Sequence, residues 1–188
     1  RQRQMCIRDR RDLLLYAQGI GCTELPFTYE HCDDGFYAFP TFPIVLSFTG
    51  MDQDVVSFPS EAMRMGPSNP PLQGVRTVVD GERMIECIAP IPAEGAVLAL
   101  KSALRGVHKR GSGASVETEQ ILFDEKTGVE YYRMTGGAFL VGAKNFEDSG
   151  KTFSEKITPP ARDPDAVEEI STSRFQAQLY RLSGDCLL

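Results

Sequence analysis

The stretch Ala96–Val141, AVLALKSALRGVHKRGSGASVETEQILFDEKTGVEYYRMTGGAFLV, decides the fold. In Ala96–Lys109, Val97, Ala99, Lys101 and Ala103 alternate with Leu98, Leu100, Ser102 and Leu104, the two-residue period of a strand. The pattern also permits a helix, and the neighbouring segments decide for a strand. Arg110-Gly111-Ser112-Gly113 reads as a turn, and Ala114–Asp124 follows as a strand with Val116, Thr118, Gln120 and Leu122 on one face. Glu125-Lys126-Thr127-Gly128 is a second turn. Val129–Val141 pairs back, and Gly136-Gly137 inside it predicts a bulge or a sharp coil in the strand. Upstream, Glu82–Ile91 (ERMIECIAPI) is a strand ended by Pro92. Antiparallel strands joined by tight glycine turns, after an early helix, define an α+β domain with a meander.

Working outward, Arg11–Ile20 (RDLLLYAQGI) reads as a short helix closed by Gly19 and Gly21. Phe27–Glu30 reads as a strand. Pro43 suits the first position of a helix over Ile44–Phe48, stopped by Gly50. Met51–Val75 holds Pro59, Pro67, Pro70 and Pro71 and reads as an irregular, flexible connection. Lys144–Asp165 is polar and proline-rich, a surface linker. A last helix is expected over Ser173–Ser183, where Ser173 and Gln176 match a capping box and Phe175, Leu179 and Leu182 share a face.

The chain has 188 residues, 20 basic and 26 acidic side chains and a net charge of −6, enough for one domain, or one and a fraction. With 41% hydrophobic residues it can bury an ordinary core. An acidic chain without a basic face is a poor nucleic-acid binder, and the longest apolar run, Phe42–Phe48, is too short for a membrane span. No basic start joins an apolar signal core, so nothing supports secretion. The basic exception, Arg1–Arg10 (RQRQMCIRDR), matches a translated sequencing-transposon end, ATG-TGT-ATA-AGA-GAC-AG. The reverse complement of that element would encode the closing Cys186-Leu187-Leu188. Both ends are therefore expected to be adapter read-through, which leaves Arg11–Asp185 as native sequence with net charge −9. Of the five cysteines, Cys22, Cys32 and Cys87 then remain, without the spacing of a zinc site or disulfide framework, and read as small, partly buried side chains.

No catalytic motif is complete: G-x-S-x-G, the P-loop, G-x-G-x-x-G and H-E-x-x-H are all absent. His31 and His108 are far apart, and His108, at a strand end beside Lys109-Arg110, reads as a solvated surface histidine. Asp33-Asp34 reads as a turn, and Glu168-Glu169 as a solvated face or helix-dipole partner. Local physics makes Leu182-Ser183-Gly184-Asp185 a helix C-terminal turn.

The run Tyr180-Arg181-Leu182-Ser183-Gly184-Asp185 also resembles the lead-in to the active site of type-2 enoyl-CoA hydratases, the MaoC-like hot-dog dehydratases that occur in peroxisomal multifunctional enzymes. There, Y-R-L-S-G-D continues into an aromatic residue, N-P-L-H and an Asp-Pro. Leu14-Leu15-Tyr16-Ala17 with Gly19-Ile20-Gly21 resembles that family's Y-A-x-G-[IV]-G. Pro40-Thr41-Phe42 is similar to L-P-T-F, with Phe39 for Leu. Val79-Asp80-Gly81-Glu82 is similar to L-H-G-E-Q, with Asp80 for the His and Arg83 for the Gln. Pro90-Ile91-Pro92 resembles P-L-P, Lys109–Gly113 D-K-G-S-G, and Phe139–Gly142 F-L-V-G.

The resemblance implies two tandem hot-dog halves, each a curled antiparallel sheet around a helix. Residues 11–143 would be the N-terminal, non-catalytic half, 144–172 the linker and 173–185 the start of the catalytic half. It implies an (R)-specific trans-2-enoyl-CoA hydratase (3R-hydroxyacyl-CoA dehydratase) of fatty-acid beta-oxidation, a hydro-lyase. Its catalytic half carries an Asp and a His five residues later, which share one water as general acid and base. Backbone N–H groups at a helix N-terminus stabilise the enolate-like oxygen. Only Asp185 falls on a catalytic position; its partner His is missing, so the chain alone is expected to be inactive. Ile44, Val45 and Phe48, with the Met51–Val75 connection, are the candidates for lining the acyl tunnel; ordinary core is the competing reading. No metal or redox cofactor is implied. The implied partners are an acyl-CoA, the C-terminal half and, for the intact enzyme, a second copy. Localisation would be peroxisomal in a eukaryote and otherwise cytoplasmic. Two other readings stay open: a hot-dog module that binds acyl groups without chemistry, and a thioesterase, for which Asp52 is the one nearby carboxylate.

Overall fold

The computed structural model describes residues 2–48 and 69–183, with backbone alone for Gln2–Arg8. Gly50, Asp52, most of the Met51–Val75 connection, Asp185 and Cys186–Leu188 lie outside the described residues. The elements run β1 (Gln2–Arg8), α1 (Arg10–Gly19), α2 (Leu25–Thr28), a 3-10 helix (Phe42–Ser47), β2 (Thr77–Cys87), β3 (Ala96–Arg110), β4 (Gly113–Asp124), β5 (Glu130–Val141) and α3 (Gln176–Arg181).

The meander forms as the alternation predicts. One antiparallel sheet has the order β1-β3-β4-β5-β2. Register is fixed by the two short turns: Arg110 faces Gly113 across Gly111-Ser112, and Phe123 faces Glu130 beyond the Glu125–Gly128 turn. In the second turn the Asp124 carboxylate accepts from the amides of Lys126 (2.8 Å) and Thr127 (2.7 Å). β2 begins at Thr77 instead of Glu82, because Thr77-Val78-Val79 find pairing partners in Val141-Leu140-Phe139. It ends at Cys87, where the amides of Ile88 and Ala89 both turn to the Tyr131 carbonyl, ahead of Pro90. The expected bulge sits across the ladder from its predicted place. The register slips in β2 between Asp80 and Glu82, opposite Gly137, and a Cβ on Gly81 would lie 2.8 Å from the Gly137 carbonyl.

α1 starts where Asp9 caps it, its carboxylate accepting from the amides of Arg11 (3.0 Å) and Asp12 (3.4 Å). Leu13 and Tyr16 go down onto the sheet beside Phe42, Val45 and Leu46 of the 3-10 helix, against Leu98, Leu100, Leu122, Tyr132 and Met134. Tyr16 stacks edge-on with Phe42 (centroids 5.5 Å) and shares a 2.7 Å hydrogen bond with the Thr41 hydroxyl. Helical residues laid on one face of an antiparallel sheet give the expected α+β class.

Two local expectations are overturned. Phe27–Glu30 is not a strand: Leu25–Thr28 is one helical turn, set by Pro26 and closed by the Tyr29 amide on the Leu25 carbonyl (2.9 Å). The capping box at Ser173 does not form. The Ser173 hydroxyl accepts from Phe175, and the Gln176 amide side chain reaches across to the Gly19 carbonyl. α3 therefore turns Gln176, Tyr180 and Ser183 toward α1, leaving Phe175 and Leu182 60% and 52% exposed instead of on a buried face.

Candidate functional site

Asp185, the one candidate catalytic residue, lies outside the described residues. What precedes it is docked firmly. Gly19 sits at the crossing of α1 and α3, where a Cβ would lie 3.0 Å from Tyr180 Cα and 3.1 Å from the Ser183 hydroxyl. Tyr180 also packs on Tyr16, with ring centroids 6.1 Å apart. A groove of about 460 Å³ runs beside this crossing, bordered by Gly19, Ile20, Gln176, Ala177 and Tyr180 and by Thr172–Arg174.

The tunnel candidates divide. Val45 is wholly buried in the main core, whereas Ile44 and Phe48 are half-buried at its margin. The Phe48 ring lies 5.7 Å beneath the Arg83 guanidinium, which is held in turn by the Asp80 carboxylate at 3.1 Å. None of the three candidates borders the α1–α3 groove. Asp33-Asp34 forms a turn, and His31 is exposed against Tyr29 and Glu30. Cys22 and Cys32 are half-buried and Cys87 is exposed. Among the described residues no three His, Cys, Asp or Glu side chains gather as a metal site. No described helix is long and apolar enough to cross a membrane.

His108 is a correction. Far from being solvated, it is 1% exposed, and its Nε2 lies 2.8 Å from the Glu117 carboxylate, which is 3% exposed. Glu117 also accepts from the Phe153 amide (2.6 Å), the Ser154 amide (3.0 Å) and the Ser154 hydroxyl. Burial pushes this carboxyl up, but the hydrogen bonds from Phe153, Ser154 and His108 outweigh it and hold it at about 2. The signal was in the hairpin register. Counting back from the Gly111-Ser112 turn pairs His108 with Ser115 and Gly106 with Glu117, so His108 and Glu117 are diagonal neighbours on one face. Gly106 makes the room: a Cβ there would stand 2.4 Å from His108 Nε2. Without accessible surface, the pair holds structure together and is not placed to meet a substrate.

The comparisons agree on one family. The family model described as MFE-2 hydratase 2 N-terminal domain matches residues 8–142. The chain is 36% identical over 187 residues to the protein named Probable dehydratase NIT22 of Ajellomyces capsulatus, covering 94% of this chain and 49% of that protein. It is 31% identical over 179 residues to Probable enoyl-CoA hydratase 2 of Dictyostelium discoideum, covering 93% and 57%. Other relatives carry peroxisomal names. The crystal structure of a MaoC-like dehydratase from Phytophthora capsici superposes with a TM-score of 0.86 at 35% identity, covering 98% of this chain and 61% of that one. The expected hot-dog arrangement is thereby borne out. The chain spans about half the length of these curated relatives. By a match over most of its length, the chain belongs to the family of MFE-2 hydratase 2 N-terminal domains.

Proposed function

We propose that this chain is the half of an (R)-specific trans-2-enoyl-CoA hydratase that shapes the acyl tunnel, joined by a linker to the opening of the catalytic half. Residues 11–143 are the non-catalytic half, 144–172 the linker and 173–185 the catalytic opening; Arg1–Arg10 and Cys186–Leu188 stem from adapter sequence. The observation that carries the reading is the family match over 8–142 followed, in order, by Tyr180-Arg181-Leu182-Ser183-Gly184-Asp185. In the intact enzyme Asp185 shares a water with a His from the continuing sequence, one group giving and the other taking its proton as water adds across the enoyl double bond. Ile44 and Phe48 border the acyl chain, with Val45 supporting them from the core. The substrate is an acyl-CoA, the first partner is the C-terminal half, the intact enzyme pairs with a second copy, and a eukaryotic host keeps it in peroxisomes.

Sequencing the locus beyond both ends tests this directly. An aromatic residue and N-P-L-H after Asp185 is the expected result. A stop codon there would replace the hydratase with a module that binds acyl groups without chemistry. Native codons running through both presumed adapters would overturn the boundary assignment. The purified 188-residue chain should show no turnover of crotonyl-CoA or longer enoyl-CoA thioesters, and measurable hydration would overturn the assignment of the missing His. In the intact enzyme, Phe48→Ala should shift acyl-length preference in kcat/KM, whereas Val45→Ala should lower stability without that shift.

A further inference from the structure

The root of the linker is not free. Lys144 bridges to Gln73, and from Asp148 to Ser154 the chain lies along β3 beyond the point where β1 stops pairing at Ser102. Val107 and Ser149 exchange two bonds: the Ser149 amide donates to the Val107 carbonyl (2.9 Å), and the Val107 amide to the Ser149 hydroxyl (2.9 Å). The Lys109 amide donates to Asp148 Oδ2 (2.6 Å), and the Phe153 ring lies 5.0 Å under the Arg105 guanidinium. These contacts occupy open backbone groups of a sheet edge.

His108 lies where this strap meets the sheet. Its Nε2 faces Glu117 Oε2 at 2.8 Å, and its Nδ1 faces Asp148 Oδ1 at 3.8 Å with no hydrogen-bond partner. A neutral imidazole has one N–H and one lone pair. If Nε2 carries the proton, the Nδ1 lone pair points at the Asp148 carboxylate. If Nδ1 carries it, the Nε2 lone pair meets Glu117. Either tautomer sets a buried lone pair against a carboxylate, whereas the imidazolium bonds Glu117 at 2.8 Å and turns a proton instead of a lone pair toward the Asp148 carboxylate 3.8 Å away. From β4 the charged neighbours are Glu117 and Glu119, the latter paired to Arg105; β3 itself brings Lys109 and Arg110. β2 brings Glu82, which accepts from Ser154 Oγ at 3.4 Å, and the strap brings Asp148. Among the described residues, the two carboxylates in direct reach of the ring are Glu117 and Asp148.

We propose that residues 148–154 form a pH-sensitive strap, fastened to the sheet while His108 holds two ring protons and loosened when it loses one. Both carboxylates stay ionised: Asp148 is held low by the Lys109 and Gly150 amides, and Glu117 by its own donors. Rising pH therefore acts through the imidazole alone. Loosening frees seven residues, 148–154, which are exposed except for Ser154 but held on the sheet by their hydrogen bonds, at the root of a linker whose residues 155–172 are exposed. The inference stands on the fold, and no outcome of the hydratase assays bears on it.

Hydrogen exchange on the full 188-residue chain tests it, comparing the amides of Lys109, Gly150, Phe153 and Ser154 with the core amide of Leu140. From about pH 5.5 to 8.5, strap protection corrected for intrinsic rates should fall by about tenfold relative to Leu140. Asp148→Asn keeps one side-chain oxygen for the Lys109 amide but puts an NH2 where Oδ1 accepts from Gly150 and faces His108, so Gly150 should lose protection while the pH response of Phe153 and Ser154 flattens. Imidazole 15N shifts give a second readout that needs no variant. His108 should show two N–H groups at the lower pH and one at the higher. Constant relative protection across this range, or a single-proton ring throughout, would overturn the proposal, as would an undiminished response in Asp148→Asn.

Discussion

Glu117 shows how one side chain can carry a disproportionate share of stability. Its folded pKa of about 2 lies below the ordinary 4.5, so the carboxylate form is favoured by folding. That contribution is complete above about pH 4.5 and is lost as pH falls toward 2, a loss of about 3 kcal/mol at about 1.4 kcal/mol per pH unit. Denaturant midpoints between about pH 5 and 3 should drop steeply for the native chain and much less for Glu117→Gln, which cannot gain the missing proton. Gly106→Ala attacks the same pair from the other side. With its methyl 2.4 Å from His108 Nε2, the substitution should cost about 3 kcal/mol in urea unfolding, the scale of a broken buried ion pair. A cost below about 0.5 kcal/mol, as for a surface change, would show that His108 has room to move.

At the scale of elements, α3 depends on its neighbour. Six residues with an unfilled cap hold no helix alone in water, so the turn persists because Tyr180 packs on Tyr16 and Gln176 bonds the Gly19 carbonyl. Gly19→Val should push the helices apart, since a Cβ already stands 3.0 Å from Tyr180 Cα. Trypsin cleavage after Arg181 should then quicken by about tenfold, while exchange at Leu140 stays unchanged. Equal cleavage rates would mean that the crossing does not hold α3. The same element shows where pattern reading stopped. Ser173 and Gln176 have capping-box spacing, but Gln176 gains more by serving the Gly19 carbonyl at the end of α1, a partner 157 positions away.

For the whole molecule, β2 is the weak side of the sheet. Val78, Val79 and Met84 are exposed on an edge strand, the arrangement that invites further pairing. The isolated chain should therefore self-associate as concentration rises, and Met84→Lys should reduce scattering at equal concentration without lowering Tm by more than about 2 °C. Unchanged scattering would locate the sticky surface elsewhere, with exposed Phe175 and Leu182 of α3 the next to vary.

The local code of this chain determined the β3–β5 meander, its turns and the first helix. Alternation in Ala96–Val141 and the glycine turns act between near neighbours, so a linear reading suffices for them, whereas strand β1 and the Asp9 cap fall in Arg1–Arg10, which carried no such reading. The order of motifs from Tyr16 to Asp185 likewise carried the family. The bulge came out on the facing strand because a glycine pair signals only close approach, and the ladder decides which side absorbs the extra residue. Only the tertiary structure decided the fate of His108. Beside Lys109-Arg110 it looks like a surface residue, and it is buried because the β3–β4 register and the missing Gly106 side chain set it against Glu117. Asp148 to Ser154 then close over the pair from some forty positions away. Burial and charge pairing are sums over the whole fold, and no stretch of sequence contains them.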